Sequence, residues 1–163
     1  MTPALFARQL AAGAWAMTAA TPWQVRAYRA FGVARVLLAN ELVDTAFVSW
    51  LATQLADPDF DFLCYVDSVA GAELLAGAVG PTTRPVRVLL EVGLPGGRTG
   101  ARTDDDVAAI AYAVQRFPAL SLVGVAGYEG PLGHGRDPQT LSAVSKYVAR
   151  LADVLCKLDA EGL

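Results

Sequence analysis

Short apolar runs alternate along this chain with longer segments of helical period. Five runs, Ala16–Ala20, Ala34–Ala39, Phe62–Val66, Val86–Val92 and Ser121–Ala126, are apolar at nearly every position. Such runs predict strands covered on both faces, as in a parallel sheet. Between them, apolar residues return every three or four positions. Phe47, Leu51 and Leu55 form one such set, and Val107, Ile110 and Val114 another. In the last segment Leu141, Val144, Val148, Leu151 and Leu155 do the same. Each set predicts the helix face that packs.

The helix boundaries carry their own chemistry. Thr2-Pro3, Thr21-Pro22 and Asp137-Pro138 each set a capping side chain before a proline at the first helical position. Ser68 is placed to cap a fourth helix, and Gly80 follows its end. Thr103 heads Asp104-Asp105-Asp106, three carboxylates in a first turn, where the helix dipole favours them. That triplet is read as helix-start chemistry, not as a metal site, and no metal ligand is assigned.

The elements then number six helices and five strands, with a helix first. This α/β alternation implies parallel strands joined by right-handed crossovers. Five strands do not close an eight-stranded α/β barrel. Two architectures follow: an open, doubly wound sheet, or a partial (β/α)8 TIM-type barrel that starts after its first strand. A strand order that reverses along the sheet marks the first; consecutive neighbours mark the second. A partial barrel leaves sheet edges and an apolar face uncovered, which predicts self-association.

Composition narrows the classes further. The 163 residues suit one domain, and 54% hydrophobic with 18% charged residues excludes a disordered chain. No run approaches the roughly 18 apolar residues of a membrane span. Arg8 and Gln9 interrupt the opening segment, which argues against a secretory leader. The net charge is −3, the basic residues are scattered, and the lysines are Lys146 and Lys157 alone, so no nucleic-acid stripe is present. Cys64 and Cys156 lie far apart and are read as buried small hydrophobes, which points to the cytosol.

In either architecture, ligands bind beyond the carboxyl ends of the strands. Those ends are polar in series: Thr21, Asn40-Glu41, Asp67-Ser68, Glu91 and Tyr128-Glu129. The segment Gly93–Arg102 stands out. Its glycines allow a backbone to approach a ligand, and Arg98 offers planar charged donors to an oxyanion. The alternative is a flexible turn with a solvated arginine. It is neither a P-loop nor a GxGxxG turn. Tyr128 suits hydrogen bonding to a ligand or packing, and His134 is expected to face solvent.

VRVLLEVGLPGGRTGAR, followed by LVGVAGYEG, resembles the strand–arginine–glycine and strand–tyrosine motifs of fold-type III pyridoxal-phosphate enzymes. ARVLLANELVD, FLCYVDSVAG and ATPWQV are similar to the same group. The branch is that of D-threonine aldolase, D-serine dehydratase and amino-acid deaminase, which shares the alanine racemase N-terminal barrel. The resemblance covers nearly the whole of residues 1–163, taken as one pyridoxal-phosphate-binding barrel domain. It implies that Arg98 contacts the phenolic oxygen of pyridoxal phosphate and that Tyr128 lies beside the pyridine ring. Thr21 and Asn40 are further cofactor-binding candidates at the strand ends.

The chain also departs from that family. The lysine that carries the cofactor ends the first barrel strand, ahead of the helix that begins here at Pro3. Lys146 and Lys157 fall in the final helix pattern instead. The later strands and the C-terminal β-domain with its metal ligands are likewise outside the match. The expectation is a segment of a pyridoxal-phosphate-dependent lyase of D-amino acids, inactive alone, with no catalytic residue assigned. A non-catalytic binder of the cofactor or of a protein partner is the alternative, and an unrelated open-sheet enzyme the third reading.

Overall fold

A computed structural model describes residues 2–80 and 84–163. The order is α1 (Pro3–Ala11), β1 (Met17–Ala19), α2 (Pro22–Ala30), β2 (Arg35–Glu41), α3 (Thr45–Gln54) and β3 (Asp61–Val66). It continues with α4 (Val69–Val79), β4 (Val86–Glu91), α5 (Asp104–Gln115), β5 (Leu120–Ala126) and α6 (Pro138–Glu161). A 3-10 turn, Gly130–Leu132, which the sequence pattern missed, precedes α6.

The strands form one parallel sheet in the order β1-β2-β3-β4-β5. Successive helices touch in the same order, α3 on α4, α4 on α5 and α5 on α6. Consecutive strands with neighbouring helices on one face are the arrangement of an α/β barrel. A doubly wound sheet reverses its order and carries helices on both faces. The fold is therefore a sector of a barrel, and the open-sheet reading is excluded.

Strand alternation shows which face is covered. Val36, Leu38, Phe62, Cys64, Val66, Val86, Val88 and Leu90 are buried under the helices. Leu37, Tyr65 and Leu89, on the other face, keep partial exposure, and Val123 is 37% exposed. The expectation of strands covered on both faces holds on the helix side only, because no second layer lies on the inner face of the described residues. Arg35, Asp61 and Arg87 add charge near the amino ends of that face. Asp61 accepts from Arg87 at 2.6 and 2.8 Å and from Arg35 at 2.9 Å.

Local signals behave as their chemistry requires. Thr21 and Thr103 each close a capping box, with Gln24 and Asp106 respectively. Ser68 and Asp137 accept from Gly71 and Thr140, and Gly80 ends α4 at φ +61°. Thr2 stands at the N-cap of α1, but its side chain makes no capping bond. Phe47, Leu51, Leu55, Val107, Ile110 and Val114 are all buried as predicted.

The last helix departs from prediction. Leu141, Val148 and Leu155 are 52%, 54% and 40% exposed, whereas Tyr147, Val154 and Leu158 are buried. Two apolar stripes run side by side along α6, and the sheet takes the second. Cys156 is exposed, not buried, because it lies off that seated stripe. Cys64 is buried, and burial pushes its thiol up to about 12.

Candidate cofactor site at the strand ends

The carboxyl end of β4 continues into a closed loop. Gly93 N–H donates to Ala101 C=O, and Ala101 N–H donates to Glu91 C=O, both at 2.8 Å. Val92 and Ala101 thus pair as an isolated parallel bridge, pinching the loop at its neck. The neck demands glycine. A Cβ on Gly93 would meet Thr99 O at 2.2 Å, and one on Gly100 would meet Gly93 N at 2.4 Å with φ at +91°.

Side chains stiffen the same loop from below and from its flank. Thr99 Oγ1 donates to Glu91 Oε1 at 2.8 Å, and Gly100 N–H donates to Asp67 Oδ2 at 3.2 Å. Arg102 donates to Gly97 C=O at 2.8 Å and to Gly100 C=O at 3.3 Å. Arg98 projects from a scaffold fixed at both ends, not from a loose turn.

Its neighbour is Tyr128. The Arg98 guanidinium carbon lies 5.9 Å from the centroid of the Tyr128 ring, within cation–π range. Glu91, Gly93, Arg98, Thr99, Tyr128 and Tyr147 line a small cleft there. Arg98 is exposed and Tyr128 is 55% exposed, so both side chains are reachable from solvent. The structure therefore brings together two residues 30 positions apart in sequence.

The other two candidates stand at the far end of the arc. Asn40, at the end of β2, donates to Ala20 C=O at 3.4 Å. Thr21 uses its hydroxyl to accept from Gln24 N–H at 3.4 Å. Both lie on the carboxyl rim, two or more strands from Tyr128 in the sheet order. His134 is exposed, as expected.

Three carboxylates gather between those ends. Glu41 is held above its ordinary 4.5, first by burial, then by the charge and hydrogen bond of Asp67 and the charge of Glu91. Among the described residues no group of three or more ligating side chains is arranged to hold a metal ion. The residue that sequence reasoning missed is Tyr147. It lies in α6 on the buried stripe with Val154 and Leu158, and nothing in its spacing distinguishes it from a core aromatic.

A barrel sector with an arginine–tyrosine pair on its carboxyl rim defines a class of α/β-barrel proteins whose ligand site is built from strand ends. Within that class, residues 4–163 match the alanine racemase N-terminal domain, and the chain belongs to that family. It is 28% identical over 150 residues to D-threonine aldolase of Arthrobacter sp, covering 92% of this chain and 39% of that protein. It is 26% identical over 141 residues to 3-hydroxy-D-aspartate aldolase of Paracoccus denitrificans (strain Pd 1222), covering 86% of this chain and 36% of that protein. The solved D-threo-3-hydroxyaspartate dehydratase from Delftia sp. HT23 superposes with a TM-score of 0.83 at 26% identity, covering 99% of this chain and 43% of that one. The chain thus spans about two-fifths of the length of the curated relatives it matches.

Proposed function

We propose that this chain is the cofactor-facing sector of a pyridoxal-phosphate-dependent lyase acting on D-amino acids, of aldolase, dehydratase or deaminase type, and that it is inactive alone. The observation that carries the reading is the pairing of Arg98 with Tyr128 at 5.9 Å on the strand-end rim. A guanidinium suits the phenolic oxygen of the cofactor, and an exposed phenol ring suits the flank of a pyridine. The residues present fit that end of the group. Thr21 and Asn40 extend the same rim toward β1.

When bound, pyridoxal phosphate supplies an electron sink for bonds to the amino-acid α-carbon. This chain's own part is to bind and orient. Arg98 holds negative charge at one oxygen, and Tyr128 limits where the ring lies. Neither lysine sits at a strand end. Lys157 pairs with Asp104 at 2.6 Å, and Lys146 is exposed on α6. The Schiff-base function is accordingly assigned to no residue here.

The test is to add pyridoxal phosphate, reduce with borohydride and map any lysine adduct by mass spectrometry. The expected result is no specific adduct. A stoichiometric adduct on Lys146 or Lys157 would overturn the assignment of inactivity. Calorimetry on the same sample tests the site: uptake that Arg98→Ala weakens supports it, and uptake unchanged by that variant removes Arg98 from the reading. Tight uptake with no adduct favours the non-catalytic binder.

Two coarser expectations accompany this. Among the described residues no helix is long and apolar enough to cross a membrane. Both cysteines are free, which agrees with the proposed cytosolic setting.

A further inference from the structure

Tyr147 occupies a place that the cofactor reading leaves unexplained. Its ring comes from α6, and its side chain is 5% exposed. Its hydroxyl donates to Val92 C=O at 2.5 Å and accepts from Tyr128 N–H at 3.1 Å. One phenol therefore joins the last residue before the Arg98 loop to the backbone of the residue that faces Arg98.

The neighbouring backbone is shaped around it. A Cβ on Gly127 would stand 2.1 Å from the Tyr147 hydroxyl, so the chain leaving β5 lies directly against that oxygen. A Cβ on Gly130 would stand 2.2 Å from the Tyr128 ring, so that ring folds back over the following turn. The junction needs such a tie. In the described sheet β5 is paired to β4 alone, and their register slips between Val88 and Leu90. Pairing resumes at Leu90–Val125 and Glu91–Ala126, and Val92 N–H then donates to Ala126 C=O at 2.8 Å. Past that point the Tyr147 hydroxyl links the two strand ends by hydrogen bonds. Burial raises the Tyr147 phenol above its ordinary 10.0, which keeps the proton it donates to Val92.

We propose that Tyr147 is a positioning residue: its hydroxyl sets the Tyr128 backbone against the root of the Arg98 loop and so fixes the spacing of the cofactor-facing pair. The role toward the cofactor rests on the reading given under Proposed function; the tie itself does not. Phenylalanine keeps the ring and the packing of α6 but removes both bonds. Tyr128 N–H then loses its acceptor, while the Tyr128 side chain is unaltered.

The experiment uses the full chain with pyridoxal phosphate as probe, in wild type, Tyr147→Phe, Tyr128→Ala and the double variant. Amide exchange at Tyr128 is followed by NMR, and cofactor affinity by calorimetry. In Tyr147→Phe the Tyr128 amide is expected to exchange about tenfold faster while core amides in β3 and β4 keep their protection. Affinity is expected to fall about tenfold when Tyr128 is present and not at all in the Tyr128→Ala background. Unchanged exchange at Tyr128 would overturn the proposal. Equal affinity losses in both backgrounds would also overturn it, since they mark a general structural role. If the wild type takes up no pyridoxal phosphate, the cofactor reading fails and the positioning role toward it fails too, while faster exchange at Tyr128 would still establish the tie. If Tyr147→Phe loses core protection everywhere, Gly127→Ala, which pushes the chain off the same hydroxyl, gives the second measurement, with the same two outcomes.

Discussion

Thr99 and Glu91 form a hydrogen bond of 2.8 Å beneath the Arg98 loop, and Glu91 is only 5% exposed. A carboxylate in that position needs its donors, because water cannot replace them freely. Thr99→Val keeps the shape and removes the hydroxyl. Chemical denaturation should show a loss of about 1–3 kcal/mol, with Thr99→Ser close to wild type.

The loop neck discriminates sharply among its glycines. At Gly93 an added methyl collides with the Thr99 carbonyl, whereas at Gly96 nothing lies within 4 Å and only the φ of +69° resists. Gly93→Ala should therefore cost at least about 3 kcal/mol or prevent folding, and Gly96→Ala about 1 kcal/mol. Thermal melting of the two variants side by side checks the difference. Similar melts would show that the neck is not closed as described.

Two carboxylates should give opposite pH dependences. Glu41 has its pKa raised from 4.5 in the folded chain, so the native state binds more protons and stability falls as pH rises through that range. Glu41→Gln should flatten this fall and gain stability near neutrality but not in acid. Asp61 is different. Burial alone would raise its carboxyl, but hydrogen bonds and charges from Arg87 and Arg35 hold it below its ordinary 3.8. Its contribution is present above that value and is lost as pH falls through the folded pKa. Asp61→Asn should cost about 1–2 kcal/mol near neutrality, and the deficit should shrink in strong acid. Urea unfolding across pH separates the two.

The uncovered surfaces predict association. Each outer strand, β1 and β5, is paired on one side in the described sheet, and Leu141, Val148 and Leu155 leave an apolar stripe on α6 open. Sedimentation should show the isolated chain self-associating. Changing that stripe to Leu141→Glu, Val148→Glu and Leu155→Glu should lower the association. A stable, cooperative wild-type monomer would refute the prediction.

The elements were legible in the sequence because their signals are local. A capping threonine or aspartate satisfies amides within its own turn, and Val107, Ile110 and Val114 share a face by helical period alone. Parallel pairing was legible too, since strands separated by helices have no short route to antiparallel partners. The rim residues Asn40, Glu41, Asp67 and Glu91 could be named because strand ends follow from strand limits.

Other features needed the tertiary structure. Residues 98 and 128 meet only because β4 and β5 are neighbours, a fact that no spacing encodes. Tyr147 joins Val92 across 55 positions, and its helix carries a competing stripe at Leu141, Val148 and Leu155 of equal period. Period fixes which residues share a face, but only the surface packed against a helix decides which face is buried. For the same reason the sequence by itself determined that this chain is a series of helix–strand units, whereas the order and one-sided packing of the strands decided that it is a barrel sector.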